Sequence, residues 1–172
     1  MNETLENLKS RRSIRKYKSR QVSEEELQQV LEAGVCAPTG MNRQSPIIVA
    51  VRNREDIALM SRLNAEIMGV KSDPFYGAPT VLVVLAAAES PHAVQDGSLV
   101  MGNLMNAAHA LGLGSCWVNR AKELFARDEG KALLEKWGVT GNYIGVGNCI
   151  LGYPDEQPEM KPRKENYVYR AD

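Results

Sequence analysis

The stretch from Thr80 to Val118, TVLVVLAAAESPHAVQDGSLVMGNLMNAAHALGLGSCWV, decides the fold class. It opens with Thr80 and an uninterrupted apolar run from Val81 to Ala88, rich in β-branched side chains, and residues 80–88 therefore predict a strand covered on both faces. Residues 92–111 predict a long helix whose second half is nearly apolar, typical of a helix at the centre of a fold or at a subunit interface. A short strand over 116–118 follows. This order predicts an α/β chain in which helices surround a small sheet.

The flanking segments supply the other elements. Ser23-Glu24-Glu25-Glu26 is a capping box, in which the hydroxyl and the third carboxylate satisfy each other's backbone amides. It begins a helix that ends near Ala37, because Pro38 lacks an amide hydrogen and disfavours helix in the residue before it. Helices are also predicted over 2–10, 54–68 and 122–137, and strands over 46–51 (a buried strand) and 143–151. The tail after residue 153 is too polar to form a core of its own.

Composition and charge describe one ordinary domain. The chain has 172 residues, 44% of them apolar and 24% charged, which is enough to bury a core unaided. Lys+Arg and Asp+Glu both number 21, so the formal net charge is zero, which argues against a protein that coats nucleic acid or an anionic membrane. No apolar run approaches the roughly 18 residues of a membrane span, and residues 1–13 lack the apolar core of a signal peptide. Since Cys36, Cys116 and Cys149 lie far apart, we expect reduced thiols and a cytoplasmic setting.

The sequence offers little to side-chain nucleophiles or metals. Its two histidines, His92 and His109, are not near a cysteine or carboxylate at metal-ligand spacing, and we expect a packed or interface role for His109. The motifs GxSxG, HExxH and GxxxxGK[ST] are missing. The pairs Gly112-Leu113-Gly114 and Gly145-Val146-Gly147 do not complete GxGxxG, and we interpret them as places of close backbone packing. An enzyme with this sequence would depend on a cofactor.

A basic segment, Arg11-Arg12-Ser13-Ile14-Arg15-Lys16-Tyr17, follows the first predicted helix. No acidic residue lies between Asn7 and Ser23. Guanidinium forks and a hydroxyl in a short extended stretch suit a phosphate monoester. A solvated basic segment and a nucleic-acid arm are the alternatives, and the lack of interleaved aromatic residues weakens the second.

Two other segments are polar in a way that suits a ligand. The loop APTGMNRQSP, residues 37–46, lies between a helix and a strand, and its backbone amides with Asn42 and Gln44 suit the edge of a flat heterocycle such as a flavin. A plain helix-to-strand turn explains this loop equally well. Lys161-Pro162-Arg163-Lys164 would add cations to the same anion if the tail returns to the body. A solvated charge run is the alternative there.

Together these segments resemble the nitroreductase family of flavoenzymes. RRSIRKY is similar to that family's RRSxR motif, and APTGMNRQSP is similar to its APSxxNxQPW loop. GLGSCWV, GVGNCILGYP and the closing K-x-R occur in the family's order, so the resemblance spans most of the chain. Ser45-Pro46 departs from the family's Pro followed by an aromatic residue, and the shape of the adjoining pocket therefore does not follow from the resemblance.

The resemblance implies an α+β sandwich, a mixed central sheet flanked by helices, in a homodimer that binds one FMN per subunit at its interface. It implies a single domain over 1–172, with a tail, 153–172, that returns to the flavin site. The phosphate and ribityl chain would be held by Arg11, Arg12 and Ser13, with Lys161 and Arg163 completing the phosphate site. Arg15 would lie near the pyrimidine edge, where a cation stabilises the charge of the reduced flavin. The partner subunit would contribute Pro38, Thr39, Gly40, Asn42 and Gln44, and Asn64 loosely matches a family asparagine that reaches the flavin.

The implied activity is a ping-pong transfer of electrons from NADH or NADPH through FMN to a nitroaromatic, a quinone or a similar small molecule. The resemblance implies no catalytic acid or base and no metal. A non-catalytic flavin-binding or sensing protein is the alternative, and a nucleic-acid binder that acts through the basic segment is a further one. We expect neither nucleic acid nor a membrane as a partner.

Overall fold

The computed structural model describes residues 2–171. Its elements, in chain order, are α1 Glu3–Ser10, α2 Glu24–Val35, β1 Pro46–Val51, α3 Arg54–Met68, β2 Thr80–Ala87, α4 Ala93–Ala110, β3 Gly114–Val118, α5 Ala121–Ala126, α6 Asp128–Lys136 and β4 Tyr143–Gly152. A single 3₁₀ turn, Gly40–Asn42, lies in the loop before β1. Helix-forming and strand-forming stretches therefore follow the predicted order.

The four strands form one antiparallel sheet in the order β1-β2-β4-β3. The apolar strand β2 lies between β1 and β4 and is buried from Thr80 to Ala86, so both of its faces are covered, as predicted. The expected mixed sheet is therefore corrected to an antiparallel one, because all three strand pairs are antiparallel. Among residues 2–171, parallel pairing is limited to an isolated bridge between Ser13 and Ser115. The α+β class is confirmed.

Helices cover both faces of this sheet. α2 and α4 pack on one face, where Val30 and Leu104 are fully buried. α3, α5 and α6 cover the other face, around Leu63 and Leu124. The sheet is the middle layer of three, and burial of its apolar side chains on both sides is the main source of stability.

The predicted helix starts and the central helix are confirmed. Both bonds of the capping box are present, since Ser23 Oγ accepts from the Glu26 amide and a Glu26 carboxylate oxygen accepts from the Ser23 amide (3.2 Å each). α4 buries Val100, Met101 and Ala108 in the centre of the fold. No helix among residues 2–171 is long and apolar enough to span a bilayer.

Two details of the prediction were wrong. Strand β1 is half-buried rather than buried, because it lies at the edge of the sheet. The helix predicted over 122–137 is two helices, α5 and α6, separated by the extended backbone of Arg127 (φ −74°, ψ 156°). α6 packs so closely against α5 that a Cβ at Gly130 would lie 2.1 Å from the Leu124 carbonyl oxygen. A continuous helix cannot fold back on itself in this way.

The close-packing interpretation of the glycine pairs is confirmed in β4. A Cβ at Gly145 would lie 2.3 Å from the carbonyl oxygen of Ala121, and a Cβ at Gly147 would lie 2.7 Å from Trp117 Nε1. Neither position has room for a side chain. The glycines let α5 and the Trp117 ring approach the backbone of the strand.

Candidate functional site

The two basic segments of the chain meet in one cavity. Four residues after α1 line it on one side, and the tail lines it on the other: Arg11, Arg12, Ser13, Arg15, Pro158, Glu159, Met160, Lys161 and Arg163. Its volume is about 290 Å³. We call this space the basic cavity. Six of the twelve predicted cofactor-binding residues line it.

The cavity forms because the chain is held to the sheet at two nearby places. The Ile14 amide donates to the Ser115 carbonyl (3.0 Å), which ties the first segment to the edge strand β3. A Cβ at Gly114 would lie 2.9 Å from the Ile14 side chain, so the absence of a side chain there permits this approach.

The start of the tail is held beside the same segment. The Lys18 amide donates to the Tyr153 carbonyl, and the Asp155 amide donates to the Lys16 carbonyl (2.9 Å each). The Tyr153 hydroxyl also donates to a Glu26 carboxylate oxygen (2.5 Å), which fixes the end of β4 to the start of α2. Together with Ser23, the Tyr153 hydroxyl holds the pKa of the Glu26 carboxyl below its ordinary value. These bonds direct residues 158–163 back toward Arg11.

The electrostatics of the basic cavity favour an anion with several oxygens. Among residues 2–171, none of its five cationic side chains forms a salt bridge. The Nη1 atom of Arg11 is buried and has no hydrogen-bond partner in the described part of the chain. A buried guanidinium nitrogen without an acceptor is unfavourable, and an anion in the cavity would satisfy it. Glu159 is the one acid among the lining residues.

A second cavity of about 510 Å³ adjoins the basic cavity and shares Arg12 and Pro158 with it. His109 lines it, and its Nε2 lies 2.8 Å from Ser10 Oγ. Because the Ser10 hydroxyl donates to the Glu6 carbonyl (2.7 Å), His109 Nε2 is the donor to Ser10. Burial, with the positive charges of Arg11 and Arg12, lowers the pKa of His109. Its imidazole is therefore neutral near pH 7 and hydrogen-bonded, consistent with the packed role expected of it.

The loop before β1 is exposed and has unusual backbone geometry. Met41, Asn42 and Gln44 adopt φ values of +54°, +53° and +51°, which non-glycine residues adopt at a cost. The Gln44 amide donates to Thr39 Oγ1 (3.0 Å), and Gln44 Nε2 donates to Asn42 Oδ1 (3.2 Å). The predicted residues of this loop, namely Pro38, Thr39, Gly40, Asn42 and Gln44, do not line the basic cavity of their own chain. Their role toward a partner's flavin stays a prediction.

Asn64 lies in α3, apart from the other predicted cofactor-binding residues. It is fully buried in α3, where its Nδ2 lies 3.2 Å from Met68 Sδ and its Oδ1 has no partner among residues 2–171. It does not line the basic cavity.

Sequence reasoning missed several residues that the fold brings to these places. Pro158, Glu159 and Met160 line the basic cavity, and their closeness to Lys161 in sequence was the available signal. Asp96 is a buried acid whose Oδ1 accepts from the Gly40 amide (2.9 Å). Its signal was a single acid within the otherwise uncharged stretch of α4.

The described residues also enclose a larger cavity, of about 850 Å³, between α3 and the segment before β2. Ile57, Ala58 and Phe75 give it an apolar floor, and Arg54 and Lys71 lie at its wall. None of the predicted cofactor residues lines it.

A comparison with models of protein families shows which family this chain belongs to. The model described as the Nitroreductase family matches residues 8–153. The chain belongs to the nitroreductase family. The match runs from α1 through the basic segment and the loop before β1 to Tyr153, the residue after β4. It therefore contains the segments quoted above except Pro154, the last residue of GVGNCILGYP, and the closing K-x-R.

Individual relatives agree with the family assignment. A protein of Methanothermobacter thermautotrophicus, provisionally named an NADH dehydrogenase/NAD(P)H nitroreductase, is 33% identical over 160 residues, which cover 91% of this chain and 80% of that protein. A Vibrio harveyi NADPH-flavin oxidoreductase is 25% identical over 179 residues, which cover 98% of this chain and 72% of that protein. Among solved structures, a Bacteroides fragilis nitroreductase with bound FMN has a TM-score of 0.91 and 28% identity, with 100% of both chains covered.

Proposed function

We propose that this protein binds FMN and passes electrons from NADH or NADPH through it to a small-molecule acceptor such as a nitroaromatic or a quinone. The observation that carries the proposal is the basic cavity, in which five cations converge and Arg11 Nη1 is buried without an acceptor. A phosphate monoester supplies the acceptor oxygens and the charge that this cavity lacks. Membership of the nitroreductase family, and the FMN bound by the Bacteroides fragilis structure, support the choice of this phosphate ester.

The residues of the basic cavity fit the phosphate end of such a cofactor. Arg11 and Arg12 are half-buried and project from a segment held to β3, so their positions are set by the sheet. Lys161 and Arg163 are exposed and come from the tail, so they would close over the anion from the other side. Ser13 adds a hydroxyl donor. Arg15 is exposed beside them and is the cation we assign to the pyrimidine edge.

Bound FMN supplies the hydride chemistry of such an enzyme, and the ping-pong scheme needs no nucleophilic side chain. What the chain contributes is position and charge. Arg15 would favour the negative charge of a reduced ring, and the amides and polar side chains of residues 38–44 would read the ring edge. The names of the relatives, which specify NAD(P)H or NADPH as donor, support turnover over a storage or sensing role.

We place the ring edge of one subunit against the loop of a second subunit, in a homodimer. Residues 38–44 are exposed or half-exposed and do not line the basic cavity of their own chain, so a second copy is needed to bring them to the ring. A dimer would also cover exposed apolar side chains of α2, this loop and α4, namely Val35, Met41, Val94 and Leu99.

The basic segment fits a small anion better than a nucleic acid. It folds against the sheet and the tail instead of projecting as an arm, and its cations converge on a cavity of about 290 Å³. An extended polyanion needs charges spread along a surface. The three free cysteines, Cys36, Cys116 and Cys149, fit the cytoplasmic setting that we propose.

The visible spectrum of the freshly purified protein tests the proposal. We expect flavin bands, release of a compound with the mass of FMN on heating, and about one FMN per subunit. Under anaerobic conditions NADH or NADPH should bleach the bands, and a quinone should restore them. A colourless protein that takes up no added FMN would contradict the cofactor, and bound FMN that neither nucleotide bleaches would leave a flavin-binding protein without this activity.

A further inference from the structure

The loop before β1 needs an external support to keep its shape. Met41, Asn42 and Gln44 all have positive φ within four residues, and Met and Gln have no intrinsic preference for that region. Such a run of residues persists only where surrounding contacts determine it. The hydrogen bonds from Gln44 to Thr39 and Asn42 lie within the loop and do not attach it to the body.

Asp96 supplies an attachment to the body. Its side chain is 3% exposed in the first turns of α4, and its Oδ1 accepts from the Gly40 amide at 2.9 Å. Its Oδ2 is also buried and has no partner among residues 2–171, so the carboxylate has capacity for a second donor. A bond from a backbone amide to a buried carboxylate is charge-assisted and stronger than an ordinary one.

A side chain at Gly40 would require the exposed His92 ring to move. A Cβ there would lie 2.5 Å from Cδ2 of His92, the residue that precedes α4. His92 and Asp96 are four residues apart, one helical turn, and the Asp96 amide donates to the His92 carbonyl (2.8 Å). The start of α4 therefore holds Gly40 by a hydrogen bond and by steric contact.

We propose that Asp96 is a positioning residue for the flavin, which holds the loop of residues 38–44 in the conformation that meets the flavin ring. This inference rests on the proposed function, because it assumes that the loop contacts FMN. Asp96 and Arg11 act on opposite ends of FMN. Asp96 acts on the ring through the Gly40 backbone, whereas Arg11 acts on the phosphate. The two roles therefore separate when FMN is compared with riboflavin, which has no phosphate.

The test uses the full-length protein with Asp96→Ala, Asp96→Asn and the matched control Glu89→Gln. Glu89 is an exposed acid shortly before α4, so its substitution removes a nearby negative charge and leaves Gly40 untouched. Dissociation constants for FMN and riboflavin are measured by flavin fluorescence. The loop itself is read without flavin, from the rate at which trypsin cleaves after the exposed Arg43 and from hydrogen exchange of the Gly40 amide.

Asp96→Ala is expected to weaken FMN and riboflavin by the same factor, about tenfold, which is the effect of one lost charge-assisted hydrogen bond. Cleavage after Arg43 and exchange at Gly40 should speed up in the same variant. Asp96→Asn keeps a neutral carbonyl oxygen in place of Oδ1 and should restore part of the affinity, and Glu89→Gln should behave as the wild type. If Asp96→Ala does not fold, Asp96→Leu carries the test, since it keeps a branched side chain of similar shape in the buried position and removes both oxygens.

Three results would overturn the inference or its basis. Unchanged exchange at Gly40 in Asp96→Ala would show that the carboxylate does not hold the loop. Faster exchange with wild-type flavin affinity would show that the held loop does not position the flavin. A wild-type protein that binds no FMN would refute the proposed function itself, and that result is obtained before any variant is made.

Discussion

Arg11 is the single residue on which the proposed cofactor site depends most. Its buried Nη1 has no acceptor among the described residues, so loss of the side chain removes a bond that FMN alone would complete. Arg11→Ala is expected to weaken FMN binding by about 1.5–3 kcal/mol, or roughly 10- to 100-fold, with little change for riboflavin. Lys18→Ala is the matched control, since Lys18 belongs to the same segment and does not line the basic cavity. Titrations that show equal FMN affinity in Arg11→Ala and the wild type would remove Arg11 from the phosphate site.

Asp56 is a residue whose role lies in stability. It is buried at the start of α3 and accepts from Lys136 Nζ (2.6 Å) and Trp137 Nε1 (2.9 Å) at the end of α6. Burial alone would raise its pKa, but the hydrogen bonds from Lys136 and Trp137 outweigh burial and hold the pKa of the carboxyl below its ordinary 3.8. The stabilisation is therefore fully present above pH 3.8 and is lost as the pH falls through the lowered pKa.

Asp56→Ala should accordingly lower the free energy of unfolding by about 2 kcal/mol at pH 7. The difference in the free energy of unfolding between the variant and the wild type should stay constant down to about pH 5 and become smaller below about pH 4. Asp128→Asn provides the control, because Asp128 is fully exposed and its contact with Lys131 is 3.6 Å, so its loss should change stability by less than about 0.5 kcal/mol. Urea unfolding at several pH values measures both. A gap that widens toward low pH would contradict the sign of the shift.

At the scale of elements, the tail is hydrogen-bonded to the body where it leaves the sheet and is exposed to solvent from residue 159 to residue 171. Tyr153 and Asp155 are hydrogen-bonded to the segment after α1, whereas residues 159–171 are exposed. The tail therefore contributes its cations to the basic cavity without contributing to the core. Changes in the tail should alter ligand affinity and leave the melting temperature nearly unchanged.

The double variant Lys161→Ala/Arg163→Ala is expected to weaken FMN at least tenfold and to shift the melting temperature of the flavin-free protein by less than about 2 °C. Lys164→Ala is the matched control, since Lys164 has the same charge in the same tail but does not line the cavity. FMN titration and thermal unfolding give the two quantities. Equal loss of affinity in the control would indicate a general effect of charge instead of a site.

At the scale of the whole molecule, the proposed site needs two copies of the chain. The basic cavity and the loop of residues 38–44 are separate in one chain, so in a homodimer each FMN would use the cavity of one subunit and the loop of the other. This arrangement makes a prediction about mixed dimers. Arg11→Ala damages the cavity, and the double variant Asn42→Ala/Gln44→Ala damages the loop.

A dimer that combines these two chains has one site in which both parts are damaged and one in which both are intact. We therefore expect each variant alone to bind FMN poorly, and the mixed dimer, co-expressed and isolated with two different tags, to bind about one FMN per dimer with wild-type affinity. Sedimentation confirms its assembly state, and flavin absorbance gives the stoichiometry. Weak binding at every site of the mixed dimer would show that the cavity and the loop of one chain serve the same flavin.

Local sequence determined the elements and the chemical type of the site. The capping box at Ser23 and the apolar run from Val81 are short-range patterns, and a helix start or a buried strand depends on few neighbours. The cations of RRSIRKY and K-x-R likewise indicate an anion wherever they lie, because their charge does not depend on the fold. These features could be predicted because each is complete within about ten residues.

Tertiary structure decided what depends on distant contacts. The break between α5 and α6 follows from the approach of Gly130 to Leu124, and the half-burial of β1 follows from its place at the edge of the sheet. The meeting of Arg11 with Lys161, and of Asp96 with Gly40, joins residues that are 150 and 56 positions apart. A charge becomes buried, and a carboxylate pairs with a backbone amide, only when distant parts of the chain come together. No local pattern of the sequence encodes these contacts.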